Sequence, residues 1–160
     1  MVIAVSACLL GENVTYRGDS NRSEELIQLL SEYEIVKVCP EVMGGLMIPR
    51  KPSEIKSMKP LLVENKEGVD VTKEFYIGSL IAFEKIKEKG VRIAVLKANS
   101  PSCGNEYVYD GHFSHTLIEG HGVFVSFLKE AGIRVFNENQ IEELSHYLRE
   151  EENNGTYFKD

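Results

Sequence analysis

No apolar run in this sequence approaches the ~20 residues that a membrane-spanning helix requires, so a soluble protein with no membrane partner is expected. Cysteine is scarce and odd in number, at three, which argues against a disulfide framework. Positive charge is also short: 18 lysines and arginines face 25 acidic residues, for a formal net charge of −7. Sequence-independent binding to a phosphate polymer depends on clustered Lys and Arg, so an RNA partner is disfavoured. A single nucleotide stays compatible, because one or two local cations or a helix N-terminus can hold one phosphate at any net charge. The opening Met1-Val2-Ile3-Ala4-Val5-Ser6 is apolar but has no basic leader. It reads as a buried strand rather than a secretory signal, and a cytoplasmic location is expected. Repeats, low-complexity stretches and an interdomain linker are all missing, so the expectation is one domain, 1–160, with a polar tail from about residue 150.

What is present is an alternation of short apolar runs with helical patterns, the signature of an α/β fold. A single-domain, three-layer, Rossmann-like arrangement around a mostly parallel sheet follows. Strands are predicted over residues 3–6, 35–38, 92–97 and 133–136. Helical spacing of apolar residues predicts helices over 24–33, 72–89 and about 122–131. A fourth helix is predicted over 138–149, with Asn137 as its N-cap. Residues 42–67 are rich in Gly and Pro and read as a long loop serving a site. The Glu- and Asn-rich residues 150–155 read as a fraying end, with Tyr157 and Phe158 able to dock back on the body.

The cysteines stand at informative places. Cys8 follows the first predicted strand, Cys39 directly follows the second, and Cys103 lies just past the third, within Asn99-Ser100-Pro101-Ser102-Cys103-Gly104. In an open parallel sheet, ligands bind beyond the carboxyl ends of the strands, so three segments would each deliver one sulfur to one edge. A lone free cysteine is often a small buried apolar residue, but three beside turn residues at strand ends are a poor fit to that explanation. Two metal chemistries remain open. Zinc bound by three Cys and one of His112, His115 or His121 is one, although structural zinc sites usually draw on closely spaced Cys pairs. An iron–sulfur cluster tolerates widely separated thiolates and is the first choice. With three cysteines and four corners, one iron would stay open to act as a Lewis acid.

The order of Ser6-Ala7-Cys8-Leu9-Leu10-Gly11, Val38-Cys39-Pro40-Glu41-Val42-Met43-Gly44-Gly45-Leu46, Pro49-Arg50, Gly68-Val69-Asp70-Val71-Thr72, Leu96-Lys97, Ser100-Pro101-Ser102-Cys103-Gly104 and Tyr109-Asp110-Gly111 resembles the thiouracil desulfidase family over residues 3 to about 135. The resemblance implies a [4Fe-4S] cluster held by Cys8, Cys39 and Cys103. It also implies removal of sulfur from thiouracil or 4-thiouridine monophosphate, giving the oxo-pyrimidine and sulfide. The acidic charge favours a free base or nucleotide over RNA. One motif departs from the family, which often has a basic residue, Tyr, Asp or Asn, then Gly; here Thr15-Tyr16-Arg17-Gly18 places a cation at the third position. Asp19 is a candidate to stand in for the lost group.

Roles follow for nearby side chains. Glu41, two residues from Cys39, is the candidate base and acid for water and leaving sulfur, with a pKa raised by an anionic cluster. Ser100 and Ser102 are candidate hydrogen-bonding groups for substrate or cluster sulfide, although Ser beside Pro is also ordinary turn chemistry. Arg50 and Lys97 are candidate phosphate ligands, and Tyr16 or Tyr109 a stacking surface for the pyrimidine. Gly120-His121-Gly122 lacks the spacing of a phosphate loop. Two rivals differ in class: a zinc-binding structural module, and a cluster-dependent sulfur carrier or insertase that delivers sulfide instead of removing it.

Overall fold

The four apolar runs read from the sequence lie side by side as parallel strands. In the computed structural model, which describes residues 1–155, the chain runs β1 (Val2–Ser6), a 3-10 turn (Ala7–Leu10), α1 (Glu24–Leu29), β2 (Glu34–Val38), α2 (Pro40–Met43), β3 (Ser53–Met58) and β4 (Leu61–Asn65). It continues through α3 (Thr72–Glu88), β5 (Ile93–Leu96), β6 (Tyr107–Tyr109), β7 (Leu117–Glu119), α4 (Val123–Glu130), β8 (Arg134–Asn137) and α5 (Ile141–Gly155). The main sheet has the order β2-β1-β5-β8, parallel throughout. No described helix is long and apolar enough to cross a membrane.

Period-two alternation divides the sheet into two dry faces. Ala4, Val36, Val38, Ala94 and Leu96 pack with Ala82 and Ile86 of α3 and with Phe124, Val125 and Leu128 of α4. Ile3, Val5, Ile93 and Val95 face the other way, onto Leu26 of α1 and its C-cap Leu30 and onto Leu144 and Leu148 of α5. These are the three expected layers. β2 and β5 flank β1 on opposite sides, which makes the carboxyl end of β1 the point where strand order reverses and a crevice opens.

The stretch read as an irregular loop holds regular structure. β3 and β4 form an antiparallel hairpin that docks Ile55 and Val63 on Phe75, Val71 and Val123. Its period is broken by a register shift between Ile55 and Ser57, and few of its side chains are apolar and buried, so the alternation that announces a strand is missing. β6 and β7 form a second short hairpin that the sequence did not announce. α1 ends at Leu29, earlier than expected, and its N-cap Ser23 accepts a hydrogen bond from Leu26 N–H. α5 begins at Ile141 rather than 138, because Asn137 Oδ1 accepts from Asn139 N–H and Glu138 is engaged elsewhere. Its helix continues through the polar residues expected to fray; Tyr157 and Phe158 lie outside the described residues.

Candidate active site

The three strand ends deliver their cysteines by different local devices. Cys8 sits in the 3-10 turn after β1, closed by Gly11 at φ 99°. Cys39 is the N-cap of α2, with Pro40 in the first turn, where its fixed φ suits a helix start. Cys103 lies in a loop whose Pro101 and Ser102 carbonyls accept hydrogen bonds from Val123, Phe124 and Val125, so the orphan N–H groups of α4 hold the loop down. Gly122 permits that contact, since a Cβ there would come 2.4 Å from the Ser102 carbonyl carbon. α2 is seated in the same way: a Cβ on Gly78 of α3 would lie 1.7 Å from the Pro40 oxygen. Backbone meets backbone at this crossing, which fixes where Cys39 and Glu41 stand.

All three thiols line one cavity of about 360 Å³ at the carboxyl edge of the sheet. Burial is the leading effect on each. It raises the thiol pKa of Cys8 and Cys39 above the ordinary value and pushes Cys103, 4% exposed, up to about 12. Donors oppose the effect: Asn21 is hydrogen-bonded to Cys8, the Val42 N–H to Cys39, and the Ser102 and Ser6 hydroxyls to Cys103. Such donors stabilise sulfur that carries negative charge. Among the described residues, no three His, Cys, Asp or Glu side chains are grouped to hold a single metal ion. The three thiols share the lining of one cavity.

Glu41 shares that wall. Its Oε2 accepts a hydrogen bond from Ser102 Oγ at 2.9 Å, and its Oε1 accepts one from Arg50 Nε at 3.2 Å. Ser102 Oγ also lies 3.0 Å from Ser100 Oγ and 3.6 Å from Cys103 Sγ. The Ser102 hydroxyl thus stands between the carboxylate and the thiol, and its single proton serves one of them at a time. Arg50, with a side chain 10% exposed, donates further bonds to the Val14 and Met47 carbonyls and straps two loops across Glu41. Lys97 Nζ lies 2.9 Å from Glu138 Oε2 and donates to the Ala98 carbonyl, while Glu138 Oε1 accepts from Ala98 N–H. Both cations expected to meet a phosphate therefore have carboxylate partners within the protein.

Tyr16 and Tyr109 line the cavity, and Arg17 stands at its exposed rim, paired with Asp19 at 3.1 Å and stacked over the Tyr16 ring. His115 reaches the wall; His112 and His121 do not line it. Several lining residues were not expected. Glu54 accepts the Gly111 and Phe113 N–H groups, so β3 anchors the loop that brings Phe113 and His115 to the cavity. Phe113 and His115 hold φ of 54° and 61°, a conformation uncommon outside glycine, and no sequence signal marks it. Lys66, at the end of the β3–β4 hairpin, was hidden by the loop assignment. Ser6 ends β1 and Asn21 lies in the irregular segment before α1, positions where a polar residue by itself carries no special signal.

The parallel sheet, the switch-point crevice and the thiol-lined cavity define a small α/β protein with a sulfur-rich site. The chain belongs to the 2-thiouracil desulfurase family, whose model matches residues 3–140. It is 37% identical over 150 residues to the uncharacterized protein YbbK of Bacillus subtilis strain 168, covering 89% of this chain and 99% of that one. It is also similar to the solved structure of a [4Fe-4S]-dependent thiouracil desulfidase, TudS, with 41% identity and a TM-score of 0.84 over 92% of this chain and 97% of that one.

Proposed function

We propose that this protein is a [4Fe-4S]-dependent desulfidase that converts a thiolated pyrimidine, thiouracil or 4-thiouridine monophosphate, into the oxo-pyrimidine and sulfide. The observation that carries the reading is the convergence of Cys8, Cys39 and Cys103 on the cavity that also holds the Glu41–Ser102 pair. The donor set fits the cluster chemically: three thiols from three loops, each facing a hydrogen-bond donor, and no fourth cysteine in the chain. When bound, such a cluster would supply an iron without a protein thiolate, a Lewis-acid seat for a soft thiocarbonyl sulfur.

The overall change is balanced by one water: the C=S carbon gains oxygen, and sulfur leaves as hydrogen sulfide. Glu41 takes a proton from the attacking water, and Ser102, hydrogen-bonded to it, passes that proton toward the leaving sulfur. Ser100 holds the Ser102 hydroxyl in place and caps the Ser102 and Cys103 N–H groups. Arg50 holds the Glu41 carboxylate in one orientation, and Lys97 adds positive charge to the cavity wall. Tyr16 offers its ring at the rim for the base. A single zinc ion is less well supported: it needs its donors about one point, no three His, Cys, Asp or Glu side chains among the described residues are grouped that way, and His115 is the only histidine among the lining residues.

Anaerobic reconstitution with iron and sulfide, followed by incubation with 2-thiouracil and 4-thiouridine monophosphate, tests the reading. The expected result is a brown protein, loss of thione absorbance and release of sulfide, abolished by Cys103→Ala and by Glu41→Ala. A colourless protein that binds zinc alone and turns nothing over sinks it; net thiolation of a nucleotide would mark a sulfur insertase.

A further inference from the structure

The inner face of α3, with Phe75, Gly78, Ser79, Ala82 and Ile86, is buried, and the helix packs on α2, α4 and β4. The outer face holds Tyr76, Ile77, Leu80 and Ile81, exposed by 47%, 37%, 37% and 46%. They fall in two adjacent pairs one turn apart, so they form a continuous apolar stripe. The core is already closed beneath them, and a contiguous apolar patch in that position marks an interaction surface. Lys73 stands at one end of the stripe and Glu84 at the other, both exposed on the same side of the helix.

The stripe has a symmetry of its own. Ile77 and Leu80 are equidistant from the midpoint between Gly78 and Ser79; so are Tyr76 and Ile81, and so are Lys73 and Glu84. An antiparallel α3 from a second copy, crossing at that midpoint, sets Ile77 against the partner's Leu80 and Lys73 against the partner's Glu84, while Tyr76, whose ring also rests on Phe127 of α4, and Ile81 close the two flanks of the seam. A twofold axis repeats each contact, which is the self-complementarity that an isologous interface requires. Apolar residues meet apolar ones, and opposite charges meet at both ends. Glu84 is free to serve, because its contact with Lys87 at 3.5 Å is an exposed pair within one helix and holds it weakly. None of the six residues lines the thiol cavity.

We propose that the protein forms a twofold dimer through antiparallel packing of α3 on its own symmetry mate. One helix face per subunit is small among specific interfaces, so the association is weak and concentration-dependent. Sedimentation velocity on the reconstituted protein, from low micromolar to several hundred micromolar, tests it. Dimer is expected at the upper end, and the double substitution Leu80→Glu with Ile81→Glu leaves monomer at every concentration. Lys73→Glu alone and Glu84→Lys alone each weaken association about tenfold, since each change counts twice, and the two combined restore it. Circular dichroism confirms that these surface variants fold. Wild-type protein that stays monomeric throughout leaves this face to some other partner and overturns the proposal, as does a dimer that none of these substitutions moves.

Discussion

Ser102 Oγ donates a 2.9 Å hydrogen bond to Glu41 Oε2, joining the loop after β5 to the first turn of α2. Neither side chain is free to wander: Glu41 is also held by Arg50, and Ser102 is almost wholly buried beside Cys103. The pair places a carboxylate and a hydroxyl at fixed positions next to the sulfur wall.

Removing the carboxylate without changing its shape isolates proton transfer from packing. Glu41→Gln is expected to lower kcat by about 10²–10⁴, the range for a lost general base, while the visible spectrum of the reconstituted cluster stays as in the wild type. Ser102→Ala is expected to lower kcat by a smaller factor. Steady-state loss of thione absorbance measures both, and full activity in Glu41→Gln would remove Glu41 from the chemistry.

The crossing of α2 and α3 is predicted to be intolerant of a single methyl group. In Gly78→Ala the new Cβ meets the Pro40 carbonyl, and the helices must separate. Overpacking of this kind costs roughly 1–3 kcal/mol, and the shift moves Cys39 and Glu41 together. Urea unfolding should show a lower midpoint, and iron retention after reconstitution should fall with it. An unchanged midpoint would show that the contact is less tight than the geometry states.

Thiol accessibility should rank the three ligands in the iron-free protein. Cys103 is buried, with its pKa pushed up to about 12, whereas Cys8 and Cys39 are half-buried. Alkylation followed by peptide mass spectrometry is expected to label Cys8 and Cys39 first and Cys103 only on unfolding, because the thiolate is the reactive form. Equal labelling of all three under native conditions would contradict the burial.

Acid stability carries a signature from the start of α3. Hydrogen bonds from Thr72, including its backbone N–H at 2.9 Å, hold the Asp70 carboxyl below its ordinary value. A depressed carboxyl in the folded state means that its stabilisation is complete above about pH 4 and is lost as the pH falls through the folded value. The gap in urea midpoint between wild type and Asp70→Ala is therefore expected to be steady near neutrality and to close below about pH 4. A gap that does not change with pH would remove the charge from the explanation.

Legibility followed the length scale of each signal. The four parallel strands were readable because each is a short, mostly apolar run rich in β-branched or aromatic residues between helical patterns, and α3 because its apolar spacing lasts for several turns. The β3–β4 hairpin was not, since a bulge and polar side chains remove the alternation over a short element. The three cysteines, Glu41, Ser100, Ser102, Arg50, Lys97, Tyr16 and Tyr109 all line one cavity, while Asp19, His112 and His121 do not; strand ends in a parallel sheet share an edge, and their loops converge there. The partners of those residues were hidden. That Arg50 binds Glu41, that Lys97 binds Glu138 and that Glu54 tethers the Phe113 loop are contacts between segments distant in the chain.

By itself, then, the sequence determined the α/β class, the order of the main elements and the delivery of three sulfurs to one sheet edge, because periodicity and turn chemistry are local properties of the chain. Tertiary structure alone decided which carboxylate meets which cation, which hydroxyl stands between Glu41 and Cys103, and how closely α2 rests on α3. Those outcomes depend on the backbone separation at glycine contacts and on the register between loops, and no local pattern encodes either.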